Sequence, residues 1–385
     1  MYLPNYKGRG IVNLTSTILK AFGAEPMYSL LKSLDPAKLS KSKNVVLLII
    51  DGLGYEGLTK NGKCTTLYKN MTDRITSVFP SSTAACIPTL LTGLAPQQHA
   101  ITGWFTYLNE VGEVCIPLQF VTRANRKKSL AGTGFDPKKI FDKKTIFEEI
   151  GRKSYILMPK DIGNSEFNRT MKGNTEQFGY KSFNGMLSHI KRLCLKKNKK
   201  FIYAYWPGFD RLCHEQGTKS QKTIANLKKM DRRIAELIKS LKSTNSTFII
   251  TADHGQINTE KPGRIDLADH PKMCEMLKLP LCGESRIAYC YVKHGREKEF
   301  EEYVKKNLKH ACQIHKSNDL LKSNYFGLFK PNKKLAGRIG DYIIIMKRNF
   351  VIKDFIHGEK RKFYKAVHGG LSKEEMFVPL IVITC

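Results

Sequence analysis

Two short stretches carry side chains that bind metal ions. In FDRLCH, Asp210 and His214 stand four residues apart, and a helical turn would point both the same way. In ITADHG, Asp253 and His254 end a β-branched run. Carboxylate oxygens and imidazole nitrogens are the ligands of Zn²⁺ and similar borderline ions. Taken singly, each pair also fits a polar turn after a core strand. Asp51 ends NVVLLIID and His368 opens HGG, so Asp51, Asp210, His214, Asp253, His254 and His368 all fall at strand ends or turns. Six such ligands suit two cations with coordination to spare for a substrate. A cation pair can act on both the attacking and the leaving oxygen of a phosphoryl group.

That chemistry needs a nucleophile, and FPSSTAACIPTLLTG offers hydroxyls at the start of a helical run over 84–92. Free N–H groups and the helix dipole favour an oxyanion there. Thr83 is placed to attack, while Thr83, Ser81 or Ser82 could simply cap the helix, and both roles can coexist. The amide of Ala84 is a candidate donor to the substrate.

The elements that must position these groups read as α/β. Segments 44–51, 200–210 and 246–253 are continuous apolar or β-rich runs, the pattern of parallel strands covered on both faces. Each ends in Asp, and in open α/β sheets ligands collect at the carboxyl ends of strands. Between the second and third, residues 220–243 place Ile224, Leu227, Met230, Ile234, Leu237, Ile238 and Leu241 at helical spacing, a crossover that favours a parallel sheet. Further helices are expected over 14–33, 144–151 and 182–197. From about 260 the texture changes to strand, charged helix and strand (286–295, 296–308, 338–349), an inserted α+β subdomain over 261–365. The remaining catalytic core is then 1–260 and 366–385.

The 65 basic and 34 acidic residues give a net charge of +31, which attracts anions in general. The basic residues are spread widely, and RANRKK and KKNKK are local clusters with no nucleic-acid-binding module around them. VVLLII is too short to cross a bilayer, and the N-terminus has no signal-peptide pattern. The ten cysteines form no C-x-x-C pair, consistent with reduced thiols and a cytoplasmic location.

IIDGLG, FPSSTAACIPTLLTG, FDRLCH, ITADHG and HGGLSKEEMFVPLIV, in that order, resemble the alkaline phosphatase superfamily. Within it they resemble the type I phosphodiesterase/nucleotide pyrophosphatase group, over roughly 44–385 apart from much of the insertion. The resemblance implies an alkaline-phosphatase-like core with a mostly parallel central sheet flanked by helices. It implies a phosphate-ester hydrolase with two divalent ions, Zn²⁺ favoured. Asp51, Thr83, Asp253 and His254 match the ligands of one ion, and Asp210, His214 and His368 those of the other. Thr83 matches the nucleophile because nine positions separate it from Thr92 of TG, the family's spacing, whereas Val78 in VFPS has no hydroxyl. Extracellular relatives read His-Gly-Ile-x-x-Asn downstream, the Asn holding a phosphoryl oxygen. Here HAITGW carries Ala100 for the Gly and Trp104 for the Asn, so Trp104 is a candidate substrate contact. The expected partner is a small phosphorylated substrate, a nucleotide among the candidates. The alternatives are a phosphomonoesterase or phosphonate hydrolase of the same superfamily, or a non-catalytic anion-binding protein with a structural metal site. Arg286 in GESR is expected to form an internal ion pair or pack the insertion, and His99 to orient its loop.

Overall fold

Apolar runs with no polar alternation can be strands only where both faces are covered, and this is where they lie in the computed structural model, which describes residues 1–385. Strands Asn44–Ile50, Lys200–Trp206 and Ser246–Thr251 are adjacent and parallel, with Val45 opposite Phe201 on one side and Thr247 on the other. They sit in a seven-stranded sheet ordered Met71–Thr76, Phe377–Thr384, Ser246–Thr251, Asn44–Ile50, Lys200–Trp206, Lys153–Pro159, Glu176–Tyr180. All run parallel except Phe377–Thr384, which is antiparallel to both its neighbours. The crossover helix Gln221–Ser240 buries Leu227, Met230, Ile234 and Leu237 and turns its lysines and arginines outward.

The sequence overshoots in three places. The helix expected over 14–33 runs Ile11–Ala21. Gly23 then takes φ 92°, a left-handed conformation that ends helices, and Tyr28, Leu31 and Leu34 reach the core from an irregular segment. The strand expected over 200–210 stops at Trp206, and Pro207–Gly208 turn the chain into the helix Gly208–Gln216. Asp210 therefore sits on a helix's first turn, one turn before His214. The helix expected over 144–151 is one turn, Ile146–Glu149.

A second sheet of four antiparallel strands is ordered Cys282–Gly283, Ile287–Cys290, Tyr342–Met346, Cys312–Lys316. Alternation along its strands divides its two faces. Ala288, Cys290, Ile344 and Met346 pack with Phe300 and Val304 of the helix Glu297–Asn307. Ile287, Tyr289, Ile343 and Ile345 pack against Phe79, Ala100, Leu371 and Met376. Those last four belong to FPSST, HAITGW and HGGLSKEEM, so the smaller sheet directly backs the motif-bearing loops. No helix is long and apolar enough to cross a membrane.

Candidate active site

Three loops at the carboxyl ends of adjacent parallel strands deliver the acidic residues to one place. Gly52 makes the approach possible: it holds φ 75°, and a Cβ there would lie 3.0 Å from the Cα of Asp210. The loop carrying His368 is brought in by a short antiparallel pairing in which Ile257 faces Val367. Asp51, Asp253 and His254 converge, and so do Asp210, His254 and His368, with His254 common to both groups. His254 Nε2 is 3.5 Å from Asp51 Oδ1 and 3.4 Å from Asp253 Oδ2. Asp210 lies 3.3 Å from His214 Nε2 through Oδ2 and 3.9 Å from His368 Nε2 through Oδ1. The His254 and His368 rings stack at 3.8 Å. His254 thus stands between the two ligand sets that the motif match separates.

Hydrogen bonds around the cluster fix which atoms face inward. His254 Nδ1 lies 3.0 Å from the Gly255 carbonyl and His214 Nδ1 lies 2.7 Å from that of Ala366. Each Nδ1–H donates to its carbonyl, leaving the Nε2 lone pair toward the carboxylates, the arrangement metal-binding histidines use. Asp253 Oδ1 accepts the N–H groups of Gly52 and His254 at 3.2 and 3.0 Å, and Asp51 Oδ2 accepts the Tyr205 hydroxyl. The other oxygens, Asp51 Oδ1 and Asp253 Oδ2, are buried without a hydrogen-bond partner. Unpartnered buried carboxylate oxygens are costly, and here they converge on His254 Nε2. This donor set fits a divalent cation.

The electrostatics agree. Burial, with Asp253 and Asp210 nearby, pushes Asp51 well above the usual carboxylate range. Burial works the same way on Asp210, but His214, His368 and His254 outweigh it and hold the carboxyl below its ordinary value. Burial, and then the neighbouring His254, hold His368 well below the ordinary imidazole value.

Thr83 opens the helix Thr83–Thr92, but Ser82 takes the cap, its side-chain oxygen accepting the Ala84 N–H at 3.3 Å. That leaves the Thr83 hydroxyl clear of the helix, 3.0 Å from His254 Nε2. The Ala84 amide, read from the sequence as a donor to substrate, is thereby engaged by Ser82. Trp104 is half-buried at the same edge, and its backbone N–H donates to Glu284 Oε1 at 2.8 Å.

Glu284 is the residue the sequence reading passed over. The Ser82 hydroxyl donates to it, and burial pushes its carboxyl up to about 6 against the pull of those two hydrogen bonds. The partners are 202 positions apart, so no local spacing marks them. Tyr364, also unmarked, lays its ring 4.8 Å from that of His214. Arg286, in the same GESR stretch, forms a buried pair with Glu375. His99 accepts the Ile101 N–H at 3.1 Å through Nδ1 and stays off the cluster, and His270 contacts Tyr303 in the smaller sheet's cluster.

Solved structures similar to the chain include murine ectonucleotide pyrophosphatase/phosphodiesterase 5, with a TM-score of 0.67 at 19% identity over 87% of each chain. An inactive variant of that protein in complex with AMP matches equally well. Phosphonoacetate hydrolase from Sinorhizobium meliloti, in complex with phosphonoformate, gives 0.64 at 15% identity over 88% of this chain and 89% of that one. These likenesses establish a shared fold. No curated protein matches. The family described as type I phosphodiesterase / nucleotide pyrophosphatase matches residues 45–371, a span that takes in all the residues just described but Glu375. With its motifs brought together in space, the chain belongs to that family and is a phosphoric ester hydrolase.

Proposed function

We propose that the chain cleaves phosphodiesters, nucleotides among them, with Thr83 as nucleophile and two divalent cations, Zn²⁺ the first candidate. The observation that carries this is the Thr83 hydroxyl 3.0 Å from His254 Nε2, beside the unpartnered oxygens of Asp51 and Asp253. Asp51, Thr83, Asp253 and His254 would hold one cation, and Asp210, His214 and His368 the other. When bound, the cations would lower the hydroxyl's pKa and offset charge on the phosphoryl oxygens.

The chain's own residues supply the rest. Ser82 caps the helix, so Thr83 Oγ1 is not spent on an N–H group and is presented to phosphorus. Attack by Oγ1 forms the Thr83–phosphate bond as the leaving alcohol departs, and water then cleaves that ester and restores the hydroxyl. Gly255 and Ala366, by holding the Nδ1 protons, keep His254 and His214 in the tautomer that faces the reaction. AMP bound in the murine neighbour supports a nucleotide as substrate. The ten free cysteines support a reducing, cytoplasmic setting.

The test compares hydrolysis of bis(p-nitrophenyl) phosphate and p-nitrophenyl phosphate, with Zn²⁺ or Mn²⁺ added, by wild type and Thr83→Ala. Diester preference abolished by the substitution is the expected result. Monoester preference would make the chain a phosphatase using the same site. Turnover of neither, with metal bound, would turn the reading toward a phosphonate or toward binding alone.

A further inference from the structure

We propose that Glu284 sets substrate selectivity by charge, its fixed carboxylate beside Thr83 disfavouring dianionic phosphomonoesters against monoanionic diesters. The inference deepens the function proposed above and rests on it.

Glu284 leaves the smaller sheet just after the strand Cys282–Gly283 and enters the site between three of its loops. Oε1 takes two donors, the Ser82 hydroxyl and the Trp104 N–H. Ser82 directly precedes Thr83. The side chain also packs on Gly369, next to His368: a Cβ on Gly369, which has φ 113°, would lie 2.7 Å from Glu284 Cβ. The carboxylate is therefore pinned between the nucleophile's turn, the Trp104 turn and the His368 loop. Oε1 carries both hydrogen bonds, and Oε2 takes none from the protein.

Pinning changes what this wall offers a phosphoryl group. A helix N-terminus ordinarily presents free N–H groups to an anion. Here the Ala84 N–H is bound by Ser82 Oγ, and the Ser82 proton is directed to Glu284. The wall beside Thr83 thus carries a carboxylate, with the Ala84 amide already bound. A diester carries one negative charge on its phosphoryl group and a monoester at pH 8 carries two. The additional charge meets like charge in a partly desolvated site, where repulsion is strong. Glu284 and Thr83 come from different domains, so the smaller domain selects the substrate that the larger one cleaves.

The experiment measures kcat/KM for methyl p-nitrophenyl phosphate and p-nitrophenyl phosphate at pH 8, for wild type and Glu284→Gln, with metal content measured. Glutamine keeps the shape and an acceptor for Ser82 and Trp104 but removes the charge. The expected result is a shift of the monoester-to-diester ratio toward the monoester by about tenfold or more, the factor that ~1.4 kcal/mol represents. An unchanged ratio overturns the proposal, including the case in which both substrates slow equally, since that marks a positioning role only. If Glu284→Gln does not fold, calorimetry on Thr83→Ala, which still carries Glu284, decides the matter. The diester is expected to bind about tenfold more tightly than the monoester, and equal binding overturns the proposal. Wild type that turns over no diester would sink the underlying function and this inference together. Diester turnover with an unmoved ratio sinks this inference alone.

Discussion

Arg286 and Glu375 face each other through two hydrogen bonds of 3.0 Å, both side chains almost wholly buried. Glu375 also accepts the Gly370 N–H at 2.8 Å, and Arg286 donates to the Phe350 carbonyl. A few residues away, His368 stacks on His254, whose Nε2 faces Asp51 and Asp253, each with one oxygen satisfied by the protein and one left unpartnered. Both clusters are buried and charged, and both are tied to the loop His368–Gly370. The first is completed by the protein itself, guanidinium against carboxylate. The second gathers carboxylates around histidines with no lysine or arginine among them. A closed ion pair locks the smaller sheet to the loop. The open cluster keeps ligand atoms for something the protein does not supply.

Breaking each side should therefore have a different signature. On the open side, Thr83→Ala is expected to lower kcat for the diester by about 10⁴ or more, with the denaturant midpoint hardly changed. Retention of activity within tenfold would show that Thr83 is not the nucleophile. On the closed side, Glu375→Ala leaves a buried guanidinium unpaired, which costs ~3–5 kcal/mol in denaturant unfolding. Replacing both partners with apolar residues, Arg286→Met with Glu375→Leu, should cost much less than that single change. A double variant as unstable as the single one would mean that the pair stabilises through more than mutual neutralisation.

The open cluster was legible because each of its members sits at a local landmark. Asp51 and Asp253 end runs that can only be buried strands, and Asp210 and His214 share one helical face. Thr83 was singled out by the family's spacing to Thr92, and its hydroxyl lies 3.0 Å from His254 Nε2. What escaped depends on chain-distant packing. Ser82 rather than Thr83 caps the helix, and its hydroxyl also donates to the chain-distant Glu284. The helix expected over 14–33 was a matter of apolar spacing, and Gly23 overrode it because backbone conformation ends a helix whatever the side chains favour. Glu284 has no periodicity to betray it, and its partner Ser82 lies 202 positions away.

Removing the metal should act on the open side alone. At a free cation concentration 100 times Kd, binding adds about 2.7 kcal/mol to stability, so chelation should lower the unfolding midpoint accordingly. Asp253→Asn, which removes one charged ligand, should lose most of that difference, whereas Arg286→Met with Glu375→Leu should keep it. Equal midpoints with Zn²⁺ and with chelator for wild type would deny the cluster its cation.

The smallest effect expected lies between the two regions, at Glu284, and it appears in pH. Burial raises its carboxyl from the ordinary 4.5 to about 6 in the folded chain, so between those values the folded state holds a proton that the unfolded state has released. Stability from this group is complete below pH 4.5 and is lost as pH rises through 6. The size is ~2 kcal/mol, from the free energy that each pKa unit represents. Other groups titrate in the same range, so the measurement is a difference. In metal-free protein, unfolding free energies of wild type and Glu284→Gln are compared at pH 4.5 and pH 7. Wild type should lose up to that amount relative to the variant across the interval. Parallel curves would place Glu284 in contact with solvent, and its carboxylate would then be too well screened to act on the substrate's charge.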